Sequence, residues 1–145
     1  MANRTMEKFG FPRSLVAEVG AWSVLVRPKQ PALGSLVLVC REDATAFSAL
    51  SPQAFSDLGR AISGIEAMLK PFADYERINY LMLMMVDPDV HFHVIPRYDG
   101  ARSFGDLEIS DAGWPGPPDL SSGPDLDEGQ IDALAGALKS RWAGV

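Results

Sequence analysis

The stretch Val86–Tyr98, VDPDVHFHVIPRY, holds both histidines of the chain, two positions apart within an apolar run. Apolar and polar residues alternate at every second position, the pattern of a half-buried strand. On a pleated strand Asp89, His91 and His93 share one face, while Val90, Phe92 and Val94 share the other and belong to a core. Alternate residues lie about 6.5–7 Å apart, so a carboxylate and two imidazoles project together. A neutral imidazole, with an ordinary pKa of about 6.5, is a good nucleophile and general base near neutrality. An acceptor holding Nδ1–H would leave Nε2 free to attack.

Three readings of this face stand beside one another. The two histidines can be ordinary half-buried strand residues. They can join Asp89 as three ligands of zinc or iron, with carboxylates or water completing the shell because the chain has no further histidine. Or one histidine attacks an electrophile such as phosphorus and the other supports the developing charge.

The sequence on either side predicts the surroundings of this strand. Residues 77–86 (RINYLMLMMV) predict its antiparallel partner, with Asp87 and Pro88 forming a tight turn and the methionines packed in the core. Residues 14–19 and 22–27 predict a hairpin around Gly20. Pro28, Pro31 and Gly34 break the chain into a loop, and residues 35–41 predict a central strand. Residues 51–70 predict a helix with Ser51 as N-cap, Pro52 in the first turn and Pro71 as its end. Phe55, Leu58, Ile62, Ile65 and Leu69 would form its apolar stripe.

Residues 99–124, rich in Gly, Pro and Ser, predict an irregular segment, either packed around Trp114 or a mobile flap. A second helix is expected over about 127–142, with a capping box of Asp127 and Gln130 and a staple of Leu126 and Ile131. The result is an α+β architecture: a five-stranded antiparallel sheet carrying a long helix and a C-terminal helix. It is expected as one domain over residues 1–145, with its core in 14–98.

Composition narrows the function. The net charge is −6, with no long basic run, which argues against a binder of polymeric nucleic acid but allows a locally positive pocket for a small anion. Cys40 is the single cysteine, so an internal disulfide and a Cys-rich zinc site are excluded, and it is expected as a small buried hydrophobe. No apolar run approaches the ~20 residues of a membrane span and the N-terminus has no signal-like apolar region, so a soluble, cytoplasmic protein without a membrane partner is expected.

DVHFHVIPRY resembles the signature of the histidine triad (HIT) family, three histidines alternating with apolar residues, and its Pro96-Arg97 resembles the fragile-histidine-triad branch. Gly34 followed by LVLV, then an amphipathic helix and a strand pair, extends the likeness over roughly residues 14–98. The resemblance implies a homodimer that binds a small-molecule nucleotide. It also implies hydrolysis or nucleotidyl transfer at the α-phosphate through a covalent nucleotidyl-histidine, with no required cofactor and with Mg²⁺ arriving on the substrate.

Carried onto this chain, the nucleophile falls on His91 and the phosphate-polarising histidine on His93. The first triad position falls on Asp89, where the family has His. The nucleophile's Nδ1–H would be held by the backbone carbonyl at that position, which survives the change. The Asp89 carboxylate would either raise the His91 pKa and repel phosphate, or act as acid or base for the leaving group.

Three further departures stand out. MMVDP replaces the family's phosphate-binding Gly-Gln-Ser/Thr, Gly34-Ser35 replaces Gly-His, and Arg27 stands at the ribose-binding Asn or Asp. Arg97, Arg27, Ser35 and Asn79 are accordingly the expected substrate contacts. Arg102 and Lys29 are further loop cations, and Trp22 and Trp114 are expected in packing roles. A nucleotide binder that has lost turnover is the alternative these departures raise.

Overall fold

The computed structural model describes residues 3–143; the two outermost residues at each end of the expected domain lie outside that description. The chain runs α1 (Arg4–Lys8), β1 (Leu15–Val19), β2 (Trp22–Val26), β3 (Leu36–Cys40), α2 (Pro52–Ala73), β4 (Arg77–Leu81), β5 (His91–Arg97), β6 (Ala101–Phe104), β7 (Leu107–Ser110) and α3 (Glu128–Arg141). β1 to β5 form one antiparallel sheet in the order β1-β2-β3-β5-β4, the α+β architecture expected.

Register sorts the sheet into two faces, because directly paired residues point the same way. Trp22, Val24, Leu36, Leu38, Cys40 and Val94 lie on the face that packs under α2 and α3, and all are fully buried. Cys40 is thus the buried hydrophobe expected. Leu25, Val37 and Val39 lie on the other face beside His91 and His93, and α1 covers them with Met6 and Phe9. The sheet therefore has a large core on one side and a small apolar floor under the histidines on the other.

α2 starts as expected, the Ser51 side chain accepting from Ala54 N–H at 3.0 Å and Pro52 opening the first turn. It continues past Pro71 to Ala73, because a missing N–H this close to the helix end disturbs only the last turn. Asp74, in the left-handed conformation (φ 46°), closes it with its N–H on the Lys70 carbonyl. Ile65 and Leu69 of the expected stripe are fully buried, but the stripe is rotated over the first half of the helix. Ala54, Ala61, Gly64, Ile65 and Met68 face inward, whereas Phe55 is 43% exposed. Bulky partners explain the rotation: Trp22 donates its indole N–H to the Ala54 carbonyl (2.8 Å), and Trp142 lies so close to Gly64 that an added Cβ would sit 2.4 Å from its ring.

α3 carries the expected capping box, and Leu126 and Ile131 are both buried. The segment 99–124 departs from expectation by containing the β6–β7 hairpin, turned by Gly105 and Asp106 with Gly105 at φ 58°.

A further correction is in the connection before the histidines. β4 ends at Leu81 and β5 begins at His91, so residues 82–90 form an irregular link rather than strand plus tight turn. Met82 and Met84 still pack against the core as expected, but the run does not form a strand, and Leu83, Met85 and Val86 are 48%, 85% and 83% exposed. A strand in this register would have pointed apolar side chains to both faces of the sheet edge, where only one face is covered by helices.

Residues 119–126 run beside residues 28–30, held by Gln30 N–H on Pro124 O (3.0 Å) and Leu126 N–H on Pro28 O (2.9 Å). Gly123 sits at φ 90°, and a Cβ there would lie 1.9 Å from the Gln30 carbonyl oxygen. Gly123→Ala should therefore destabilise the fold by about 1–3 kcal/mol, measured as a lower urea midpoint; an unchanged midpoint would show that this segment is not held against residues 28–30.

Candidate active site

His91 and His93 sit at the start of β5, paired with Val39 and Val37 of the central strand β3. Their rings stand edge to face with centroids 5.3 Å apart. Both are buried, at 2% and 7% exposure, and Phe9 packs against both rings from the end of α1. They open onto a cleft of about 290 Å³ that also takes in Lys8, Phe9, Arg27, Leu83–Asp87 and Leu120. A neighbouring lobe of about 360 Å³ shares Lys8, Phe9, Arg27 and Leu120 and adds Pro28, Lys29, Ser121 and Asp125.

The two imidazoles are held differently. His91 Nδ1 lies 2.6 Å from the Asp89 backbone carbonyl, which only accepts, so Nδ1 carries a proton and the lone pair of the neutral ring lies on Nε2. His93 Nδ1 lies 3.2 Å from Arg27 Nε–H, which only donates. Burial, reinforced by the Arg27 charge and by His91, pushes the His93 pKa down to about 4. The site therefore offers one imidazole whose Nδ1–H is held by backbone beside a second that burial and Arg27 keep neutral at physiological pH.

Asp89 contributes its carbonyl to this arrangement but not its carboxylate. It precedes β5 in a bend, half-buried, and its carboxylate accepts from Thr5 Oγ–H (3.0 Å) and Thr5 N–H (3.4 Å). Two residues earlier, Asp87 pairs with Lys8 at 2.7 Å. The two aspartates flanking Pro88 thus tie α1 to the link, and α1 carries Phe9 over the histidines. Among the described residues no three His, Cys, Asp or Glu side chains converge on a common point, so the alternative ligand set of Asp89, His91 and His93 is not assembled.

The other expected substrate contacts divide. Arg27 lines the cleft, but its guanidinium is engaged by His93, by Lys29 O (2.9 Å) and by Leu120 O (3.4 Å). Ser35 is fully buried in the turn before β3, where its hydroxyl donates to Ala32 O at 2.6 Å, and it does not line the cleft. Arg97 shares the histidine face but lies four residues beyond His93, about 13 Å along the strand. Its guanidinium makes a fork with the buried Asp111 carboxylate (2.8 and 3.2 Å) and also donates to Asn79 Oδ1 (2.7 Å) and Gly116 O (2.8 Å). Arg97 and Asn79 line a separate cavity of about 480 Å³ with Arg77 and residues 114–117, Trp114 among them. Lys29 pairs with Asp125 at 3.3 Å, and Arg102 donates to Ala73 O and Asp74 O and lies over the Tyr98 ring.

Sequence reasoning missed Phe9, Lys8, Leu120 and the apolar link. The five residues of α1 are too few to stand out as a helix by periodicity. The run Leu81–Val86 did carry a signal: it has no polar residue on either face, which suits a half-covered sheet edge poorly.

No family model and no curated protein matches the sequence. Solved structures do match. A histidine triad protein from Bradyrhizobium japonicum is 22% identical with a TM-score of 0.75, the alignment covering 98% of this chain and 97% of that one. A histidine triad protein from Sinorhizobium meliloti is 21% identical with a TM-score of 0.75, covering 97% and 96%. A diadenosine triphosphate hydrolase from Plasmodium falciparum is 13% identical with a TM-score of 0.63, covering 89% and 76%. The fold of this chain is the histidine triad fold.

Two stability measurements probe this face of the sheet. Because His93 is held neutral when folded, the unfolded chain binds a proton between about pH 6.5 and pH 4 that the folded chain refuses. That contribution is intact above pH 6.5 and is lost as pH falls, by up to about 3 kcal/mol. Relative to His93→Gln, wild type should lose unfolding free energy across that window; parallel curves would reject a neutral His93. Asp111→Ala should cost about 3–5 kcal/mol in chemical denaturation by leaving the Arg97 charge buried without its counter-ion.

Proposed function

We propose that this chain binds a nucleotide in the His91–His93 cleft and cleaves it at the α-phosphorus through a nucleotidyl-histidine on His91. The observation that carries this reading is the 2.6 Å contact from His91 Nδ1 to the Asp89 carbonyl, which holds the proton on Nδ1 and leaves Nε2 as the nitrogen for attack in the cleft. In the first step Nε2 attacks phosphorus, and the bond from phosphorus to the leaving group breaks. The leaving group departs with the electron pair and takes a proton from solvent. The imidazolium formed on His91 keeps its Nδ1–H on the Asp89 carbonyl. His93 donates its Nε2–H to a non-bridging oxygen, where negative charge grows. Water then attacks phosphorus, the P–N bond breaks, and a nucleoside monophosphate leaves. This reading uses no resident metal, and Mg²⁺ arrives on the phosphates of the substrate.

The cleft favours a substrate with one phosphorus centre over a polyphosphate. Lys8 is already paired with Asp87, and three protein acceptors surround the Arg27 guanidinium. The wall at 83–86 is apolar. A phosphoramidate or ester of a nucleoside monophosphate suits these surroundings better than a chain of phosphates that needs several free cations. The fold likeness to a diadenosine triphosphate hydrolase supports nucleotide chemistry on this scaffold.

Incubation with an adenosine 5′-phosphoramidate and, separately, with diadenosine triphosphate, followed by quenching and mass spectrometry, tests the mechanism. An adenylyl group should appear on the peptide containing His91, the phosphoramidate should turn over faster, and His91→Gln should lose activity by about 10³-fold or more. Full activity in His91→Gln would reject the mechanism. Calorimetric binding without turnover by wild type would instead support a binder that has lost catalysis.

A further inference from the structure

Arg27 stands where the family resemblance implies a ribose-binding Asn or Asp, yet its side chain is turned to the protein. Nε–H points at His93 Nδ1 across 3.2 Å, and the other nitrogens reach Lys29 O at 2.9 Å and Leu120 O at 3.4 Å. Those two carbonyls belong to segments that are themselves tied together by the Gln30–Pro124 and Leu126–Pro28 backbone bonds. The guanidinium is therefore held at three points, and Arg27 as a whole is 9% exposed. A planar fork fixed in this way cannot turn toward a ligand without giving up buried hydrogen bonds.

The consequence falls on His93. An arginine remains protonated at any ordinary pH, so Nε can only donate. His93 Nδ1 must then be bare, and a neutral ring must carry its proton on Nε2. The bond thus selects one tautomer, the opposite of the one that the Asp89 carbonyl selects in His91. A second proton on His93 would set an imidazolium N–H against a guanidinium N–H in a buried place. The charged or titratable groups facing the ring are Arg27 just after β2, Lys8 from α1, His91 from β5 and Asp87 from the 82–90 link. The first three disfavour a charge on His93, and Asp87, which favours it, is engaged with Lys8.

We propose that Arg27 is a positioning residue that acts through His93, presenting its Nε2–H as a fixed neutral donor to the phosphate, and that it does not contact substrate. The phosphate half of this inference rests on the function proposed above; the tautomer half rests on the Arg27–His93 geometry alone.

Long-range ¹⁵N–¹H spectra of the uniformly labelled full chain between pH 4.5 and 8 test both halves alongside kinetics. In wild type, His93 should show a bare Nδ1 and a protonated Nε2, with no titration near pH 6.5. Arg27→Met should mix the tautomers and bring His93 titration up toward the ordinary range. It should lower kcat by roughly 10²-fold with a smaller change in KM, and add an acidic limb to the pH–rate profile. Arg27→Lys, which keeps a cationic donor, should restore part of the tautomer preference. A wild-type spectrum with the proton on Nδ1, or an Arg27→Met protein whose His93 tautomer and titration are unmoved, would overturn the proposal. Should Arg27→Met fail to fold, the wild-type spectrum still decides the tautomer. Wild type lacking turnover but showing the expected spectrum would overturn the phosphate role and the catalytic reading together, leaving the tautomer assignment standing.

Discussion

The hydrogen bond between His91 Nδ1–H and the Asp89 carbonyl, 2.6 Å long, organises this end of the molecule. It requires residue 89 to leave the strand in a bend so that its peptide oxygen can turn back toward the ring. That bend is why β5 begins at His91 and why the link from β4 cannot be a two-residue turn. Because the acceptor is backbone, the arrangement tolerates a change of side chain at 89. The Asp89 carboxylate, free of any duty to the ring, turns to Thr5 and holds α1. One residue thus serves the site twice, its carbonyl orienting a histidine and its carboxylate anchoring the helix that covers it.

The cleft is built by opposed demands on one sheet face. The floor must be apolar to exclude water from two buried rings, which Val37, Val39, Met6 and Phe9 supply. Buried rings must also have partners for their inner nitrogens. A carbonyl meets one and a guanidinium the other, so two chemically identical side chains become a lone-pair donor and a proton donor. The partner, and not the spacing in the strand, distinguishes them. Further along the same face the same requirement is met differently: Arg97 is matched by Asp111, Asn79 and a backbone carbonyl, which makes that region a braced junction between β5 and the 99–124 segment.

Much of the fold was legible because it follows from local periodicity. The β1–β2 hairpin, β3, the start of α2 and the capping box of α3 each carry a turn residue, a cap or a regular apolar repeat. The departures occur where neighbours outweigh local preference. α2 runs through Pro71 since one missing bond near a helix end costs little. Its stripe rotates because Trp22 and Trp142 need small residues opposite them. The apolar run before Asp87 lies outside the strand because the sheet edge has only one covered face.

For the site, alternation alone put His91 and His93 on one side of a strand with Val90 and Val94 opposite, and the backbone argument for residue 89 needed no knowledge of its side chain. What alternation cannot report is distance across the chain. Arg97 shares the histidine face and still belongs to another cavity. Arg27 reaches His93 from two strands away, and Phe9 and Leu120 arrive from opposite ends of the sequence. The sequence by itself determined which side chains share a pleat, since that depends only on the two-residue period of the backbone. Tertiary structure alone decided the tautomer of His93, the direction of the Asp89 carboxylate and the walls of the cleft, because hydrogen bonds and packing act between atoms that the chain order leaves far apart.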